Sequence, residues 1–284
     1  MFITINGQLG SGKSEICKIL REEYGFDVFH TGKIQREYAR ELGISTLELN
    51  QLCNKDPSYD HIIDGKLVEY AERERGNKVV FDSRMAWHFV KDTFKVHLLV
   101  SPEVAATRVY CNRRDSAECY LSKEDAMHGL INRRKVEGER YAKIYNAKML
   151  NYSNYDLVLD TTLTSIREEV KIILESAEKY FESGKKSMIL APTNMYPTGL
   201  EMGEGVKVAK YDESIYILSG HQLVKDALKE GKKLIEVDYV GDVEEIDGTP
   251  LQQLLNVNLE MLENWQKEAE FKYEFIPEFV KNHL

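Results

Sequence analysis

The sequence predicts an α/β fold: a doubly wound, parallel, five-stranded sheet with a helical lid, joined to a small C-terminal α+β domain. Three observations carry this expectation. Apolar runs such as "VVF" and "HLLV" are continuous rather than alternating, as in strands covered by helices on both faces. Those runs alternate along the chain with amphipathic helical segments. The charge also changes texture: residues 1–186 carry 29 basic and 29 acidic side chains, whereas residues 187–284 carry nine Lys, no Arg and eighteen Asp plus Glu. The whole net charge of −9 therefore falls in the last third, which sets the expected domains at 1–184 and 187–284.

Taken in order, the strands of the first domain are expected at Phe2–Asn6, Asp27–His30, Lys78–Asp82, Lys95–Val100 and Asp156–Asp160. Helices are expected at Lys13–Tyr24, Lys33–Leu42, Ser45–Lys55, Ile62–Arg75, Pro102–Asn112, Lys123–Tyr145 and Ser165–Phe181. "ESGKK" at 182–186 reads as a helix stop and linker. Beyond it, "SMILAP", "VKVAKY", "SIYILSG" and "KLIEVDYVG" read as strands, "HQLVKDALKEG" as a short helix, and helices are expected at about Pro250–Phe271 and Pro277–Asn282.

Composition excludes several classes. No apolar run approaches the roughly 20 residues a membrane helix needs, and Met1 leads directly into a strand rather than a signal peptide. The four cysteines are scattered with no metal-ligand spacing, which fits reduced thiols and a cytoplasmic location. An arginine-free acidic tail argues against nucleic-acid binding. No membrane partner is expected.

The first strand runs into "GQLGSGKS", which fits G-x-x-x-x-G-K-[ST] between a strand and a helix, the context that gives this phosphate-binding loop (P-loop) its meaning. Gly7, Gly10, Ser11 and Gly12 let backbone amides converge on phosphate oxygens, and the following helix points its positive end at the same anion. Lys13 is expected on the β- and γ-phosphates and Ser14 on Mg²⁺, so ATP and Mg²⁺ are the expected cofactors.

Behind the loop stand "HTGKIQRE" (Thr31, Gly32, Arg36), "FDSR" (Asp82, Ser83, Arg84), "ATRVYCNRR" (Arg108, Arg113, Arg114), "NRRKVEGERYAKIY" (Arg133, Arg134, Arg140) and the strand "NYDLVLDT". In this order the series resembles the short cytidylate kinases among the nucleoside monophosphate kinases, over residues 2–180. The resemblance implies ATP-dependent phosphorylation of a nucleoside monophosphate, CMP or dCMP. It implies that Lys13, Arg84, Arg133 and Arg140 are catalytic and that Arg108 and Arg113 join the loop in holding ATP. Thr31, Gly32, Arg36, Asp82 and Arg84 would hold the acceptor, with Asp82 also near Mg²⁺. Arginine suits this chemistry because its fork grips phosphate oxygens bidentately while charge spreads over the moving group. Two departures touch base specificity: "DSR" replaces "DGR", and Asn146-Ala147-Lys148 replaces a "GID"-like turn. Asp60 and Asp64, four apart on one helix face, are either acceptor-pocket carboxylates or surface charge.

The stretch "DESIYILSGHQLVKDALKEGKKLIEVDYVGD" more weakly resembles ParB/sulfiredoxin-like domains, which use an arginine in the turn to hold phosphate. Here Gly220-His221 is followed by Gln222-Leu223, so a degenerate or regulatory module is expected, with an unknown ligand or protein partner. Two other readings stay open: a P-loop kinase for another small metabolite, and a nucleotide-dependent sensor that regulates the second domain.

Overall fold

The computed structural model describes residues 1–111, 120–211, 214–242, 245–246, 249–250 and 259–276. The chain divides into two compact units. One comprises Met1–Leu150, Asn154–Leu157 and Ser165–Lys186; the other comprises Asn151–Ser153, Val158–Thr164 and Ser187–Leu284.

The first unit contains β1 (Phe2–Gly7), α1 (Lys13–Tyr24), β2 (Asp27–His30), α2 (Thr31–Glu41), α3 (Thr46–Lys55) and α4 (Ser58–Arg73). It continues with β3 (Val79–Asp82), α5 (Ala86–Phe89), β4 (Thr93–Leu99), α6 (Pro102–Cys111), α7 (Lys123–Tyr145) and α8 (Ile166–Ser183). Its strands lie in the order β2-β3-β1-β4, all parallel, with Ile5 opposite Asp82 and Asn6 opposite His97. All six residues of β1 are buried, as a central strand with helices on both faces requires. One apolar cluster gathers Phe2, Phe29, Leu67, Val79 and Phe81; another gathers Ala39, Leu49, Cys53 and Ile63 beneath α2–α4. Because the strands are parallel, Gly7, His30 and Asp82 all emerge at one edge, the carboxyl edge where such sheets bind ligands.

Local chemistry sets the helix ends. Ser45 and Ser165 each form a reciprocal capping box with the glutamate three residues on, and Gly25 and Gly184 close α1 and α8 in the left-handed conformation. Helix α4 starts at Ser58, four residues before the expected Ile62, because Pro57 suits a helix entry.

The second unit contains β5 (Leu157–Asp160, all but its first residue), β6 (Ser187–Leu190), β7 (Met195–Tyr196), β8 (Lys207–Tyr211), β9 (Ser214–Ser219), α9 (His221–Lys229), β10 (Ile235–Asp242) and α10 (Leu259–Ala269). Its strands run β5-β6-β10-β8-β9-β7; β10 pairs antiparallel with β6 and parallel with β8, so the sheet is mixed. A two-stranded piece pairs β11 (Glu245–Ile246) with β12 (Thr249–Pro250).

One expectation is corrected here. The helix expected from Pro250 does not begin there: Thr249–Pro250 is a strand, and the helix runs Leu259–Ala269. The strand expected at Asp156–Asp160 is present as Leu157–Asp160, and residues 158–164 group with the second unit. Residues 251–258 and the helix expected at Pro277–Asn282 lie outside the described residues.

Candidate active site

The loop between β1 and α1 is shaped by what surrounds it. Gly10 and Gly12 have φ of 81° and 88°, left-handed values that side chains resist. A Cβ at Gly10 would lie 2.8 Å from Ala105 Cα, and one at Gly12 2.8 Å from Ile166 Cδ1. At Gly7 it would meet the carbonyl of Leu98 at 2.6 Å. The Gln8 amide donates to Leu98 O at 3.0 Å, its side-chain Oε1 accepts from Val100 N at 2.8 Å, and Ser11 Oγ donates to Gln8 O at 2.7 Å. Among the described residues no side-chain hydrogen bond caps α1, a helix start whose first-turn amides and positive dipole end suit an anion.

The cations lean on the loop's own carbonyls. Lys13 Nζ donates to Gly7 O and Gln8 O, both at 2.9 Å. Burial, with the nearby Arg84 charge, lowers its pKa to about 7; Asp82 and Glu137 pull the other way. Arg84 NH1 also donates to Gly7 O, and Arg108 NH1 donates to Gly10 O at 3.0 Å. Arg84 Nε lies 3.2 Å from Glu137 Oε2, and Arg133 Nε donates to Glu137 Oε1 at 2.9 Å. Burial pushes the Glu137 carboxyl up, but the Arg84 and Arg133 charges outweigh it and hold the group below its ordinary range.

Asp82, at the end of β3, sits 3.1 Å from His30 Nδ1. Burial alone would raise its carboxyl; the His30 hydrogen bond and the Lys13, His30 and Arg84 charges more than offset that, so it stays ionised. Ser83 takes the place of the glycine in "DGR". Its Oγ accepts from the amides of Met85 and Ala86, both at 3.2 Å, so it caps the turn that carries Arg84.

A second cluster lies further along α7. Arg140 NH2 is 3.7 Å from Asp60 Oδ1 and 3.0 Å from the Tyr141 hydroxyl, and its guanidinium lies over the Tyr141 ring. Tyr145 donates its hydroxyl proton to Asp64 Oδ2 at 2.6 Å. Burial pushes the Asp64 pKa to about 6 despite that bond, and burial also raises Asp60. Asp60 is 3% exposed, and its Oδ2 is buried without a hydrogen-bond partner among the described residues. The Thr31 hydroxyl at the start of α2 is in the same condition.

The expected residues are thus brought together in two groups. Gly7, Gly10, Ser11, Gly12, Lys13, Asp82, Arg84, Arg108 and Arg133 surround the loop. Asp60, Asp64 and Arg140 form the second group, and the Arg140 charge also reaches Glu137 of the first. Arg36 is exposed on α2, with NH1 3.5 Å from where a Cβ on Gly32 would lie. Ser14 is exposed in the first turn of α1. Arg113 and Arg114 lie outside the described residues. Sequence reasoning missed Glu137 and Tyr145. The available signal for Glu137 was its i, i+4 spacing from Arg133, which looks the same as a surface ion pair.

A glycine cradle on a helix N-terminus, ringed by a lysine and three arginines, is the site of a P-loop kinase. The cytidylate kinase-like family model matches residues 2–163, and the chain belongs to that family. Cytidylate kinase from Archaeoglobus fulgidus is 30% identical over 63% of this chain and 95% of its own length; that from Methanococcus aeolicus is 32% identical over 61% and 95%. The S-adenosylmethionine-dependent nucleotide dehydratase of Lacinutrix mariniflava is 32% identical over 62% of this chain, a match that spans 36% of that longer protein. Among solved structures, shikimate kinase from Bacteroides thetaiotaomicron superposes with a TM-score of 0.44 at 15% identity, over 64% of this chain and 98% of that one. A superposition that loose distinguishes no acceptor. Among the described residues, no helix is long and apolar enough to cross a membrane.

Proposed function

We propose that the protein transfers the γ-phosphoryl group of ATP to a nucleoside monophosphate, CMP or dCMP, giving the diphosphate and ADP. The observation that carries this reading is one stripe on α7, Arg133, Glu137 and Arg140, with Tyr145 at the end of the same helix. Arg133 and Glu137 meet Arg84 at the loop, whereas Arg140 and Tyr145 meet Asp60 and Asp64. From Arg133 to Arg140 is seven residues, about 10 Å along a helix. A mononucleotide laid against that stripe reaches from a phosphate among arginines to a base beside carboxylates. The exocyclic amine of cytosine is a donor, and the Asp60 Oδ2 is a buried acceptor without a partner among the described residues.

The residues fit ATP, because the loop is a cradle that a Cβ would fill and Lys13 lines it. A nucleotide-borne Mg²⁺ keeps most of its ligands as waters and phosphate oxygens, and Ser14 and Asp82 suit the remaining positions. When bound, it would neutralise charge on the phosphates. An acceptor phosphate oxygen attacks the γ-phosphorus, the bond to the β–γ bridging oxygen breaks, and ADP leaves with those electrons. Lys13 and Arg84 balance the charge that spreads over the transferring group, and Arg133 does so from α7. Arg36 steadies the acceptor phosphate from α2. The acidic second unit has no arginine and contributes no cation of this kind; its weak ParB/sulfiredoxin-like resemblance fits a regulatory role.

ADP release measured across the common nucleoside monophosphates tests the reading. The expected result is turnover with CMP or dCMP well above UMP and AMP. Failure with every acceptor sinks it.

A further inference from the structure

Glu137 has no role in the transfer just described, yet it sits at the centre of the cation set. Each of its carboxylate oxygens is taken by a different arginine: Oε2 by Arg84 and Oε1 by Arg133. Arg84 is held at a second point by the Gly7 carbonyl, which also accepts from Lys13. The side chain of Glu137 is 17% exposed, so the charge is largely withdrawn from water. An ionised carboxylate in such a place is tolerated because cations surround it. A carboxylate that presents two oxygens to two guanidinium groups has the same geometry as one face of a phosphate.

We infer that Glu137 is a displaceable internal stand-in for phosphate: it holds Arg84 and Arg133 in register while the loop is empty and yields them when phosphate oxygens arrive. The inference rests on the proposed reading in so far as it puts the reacting phosphates between these arginines. Two consequences follow from the charge. Without Glu137, Asp82 would still offset Lys13 and Arg84, but Arg84 and Arg133 would lose the carboxylate they share, so Glu137 keeps those two in register. With nucleotide present, Glu137 competes for the same donors and repels the incoming anion, so it weakens binding. Glu137 is therefore a positioning residue that acts through the two arginines.

The test is ATP binding by titration calorimetry on the full chain, comparing wild type with Glu137→Gln and Glu137→Asp, with thermal melting to confirm that each variant folds. Glu137→Gln keeps the shape and removes the charge, and ATP should bind about three- to tenfold tighter, roughly the 1 kcal/mol expected of one removed repulsion near a partly buried site. Glu137→Asp keeps the charge on a shorter arm and should bind ATP within about twofold of wild type. Unchanged or weaker binding in Glu137→Gln overturns the inference, because a merely structural glutamate would leave affinity alone or lower it. If Glu137→Gln does not fold, a double-mutant cycle of Glu137→Ala with Arg133→Gln decides. The two changes should be non-additive in ATP affinity if the carboxylate competes with phosphate for Arg133; additive effects overturn the inference. A chain that binds ATP and phosphorylates no nucleoside monophosphate refutes the proposed function, while the ATP isotherms still decide the role of Glu137.

Discussion

Two polar clusters, one in each unit, are tied down differently. In the second unit Asp160 and His221 are met by neighbours within the unit, although Thr193 Oγ1 there is buried without a hydrogen-bond partner among the described residues. Asp160 accepts from Thr162 N, Ala191 N and Asn194 Nδ2, and His221 takes the Thr198 amide on Nε2 while its Nδ1 faces Glu201 at 3.3 Å. In the first, cations at the loop borrow backbone carbonyls, two arginines share one carboxylate, and Asp60 Oδ2 has no partner among the described residues. Saturated polar groups hold a fold in one shape. Borrowed ones are available for exchange with a ligand. The contrast is between a cluster closed within its own fold and one whose cations share acceptors around the loop.

The sharpest way to break that contrast is Lys13→Ala. Turnover should fall by about 10³-fold or more, since Lys13 balances charge on the transferring phosphate, while the melting temperature stays near wild type. A coupled ADP-release assay and a thermal melt read the two halves; retained turnover would end the assignment of Lys13. Asp160→Ala should do the reverse. It removes the acceptor of Thr162 N, Ala191 N and Asn194 Nδ2, the Ala191 amide being buried, at a cost of about 2 kcal/mol, visible as a lower urea midpoint, with kcat unchanged in whatever remains folded.

Asp64→Asn probes pH. The folded pKa of Asp64 stands at about 6, above its ordinary value of 3.8. A carboxyl with a raised pKa binds its proton more tightly when folded, so it stabilises the fold at low pH. That stabilisation is lost as pH climbs from about 4 to about 6 and is constant above, a change of about 2–3 kcal/mol. Urea unfolding of wild type and Asp64→Asn should diverge across that window and run parallel above it. Parallel curves throughout would show that Asp64 titrates normally. The smallest effect concerns Lys13, whose pKa burial lowers to about 7. The kcat/KM for ATP should decline above neutrality, by at most tenfold per pH unit, while kcat at saturating ATP stays flat because bound phosphates restore the charge. A pH-rate profile with no alkaline limb in kcat/KM would count against this.

The loop was legible in the sequence because its requirements are local: glycines where backbone must approach an anion, and a lysine opening a helix. The strands of the first unit were legible for a similar reason, since continuous apolar runs have few other uses. What escaped was relational. Glu137 is one of several glutamates in a charged helix, and only the packing of α7 against the end of β3 sets it between two arginines. Arg140 lies two turns beyond Arg133, where its guanidinium is 3.7 Å from Asp60 while its charge also acts on Glu137; only the packing of α7 shows that pairing. Asp60 and Asp64 share a face as the spacing said; their burial comes from α7. Strands β7, β11 and β12 are two residues long, below the length at which periodicity carries a signal.

The three glycines of the loop are each hemmed in by a different neighbour: Leu98 of β4, Ala105 of α6 and Ile166 of α8. The shape of the loop is therefore set by the assembly of the domain around it. A receptor shaped by its own packing lowers the ordering cost of binding. The same arrangement ties the fate of the site to that of the fold. A side chain introduced at Gly10 or Gly12 would first loosen the packing of α6 or α8 against the loop, and damage to catalysis would be read initially as a protein that fails to accumulate.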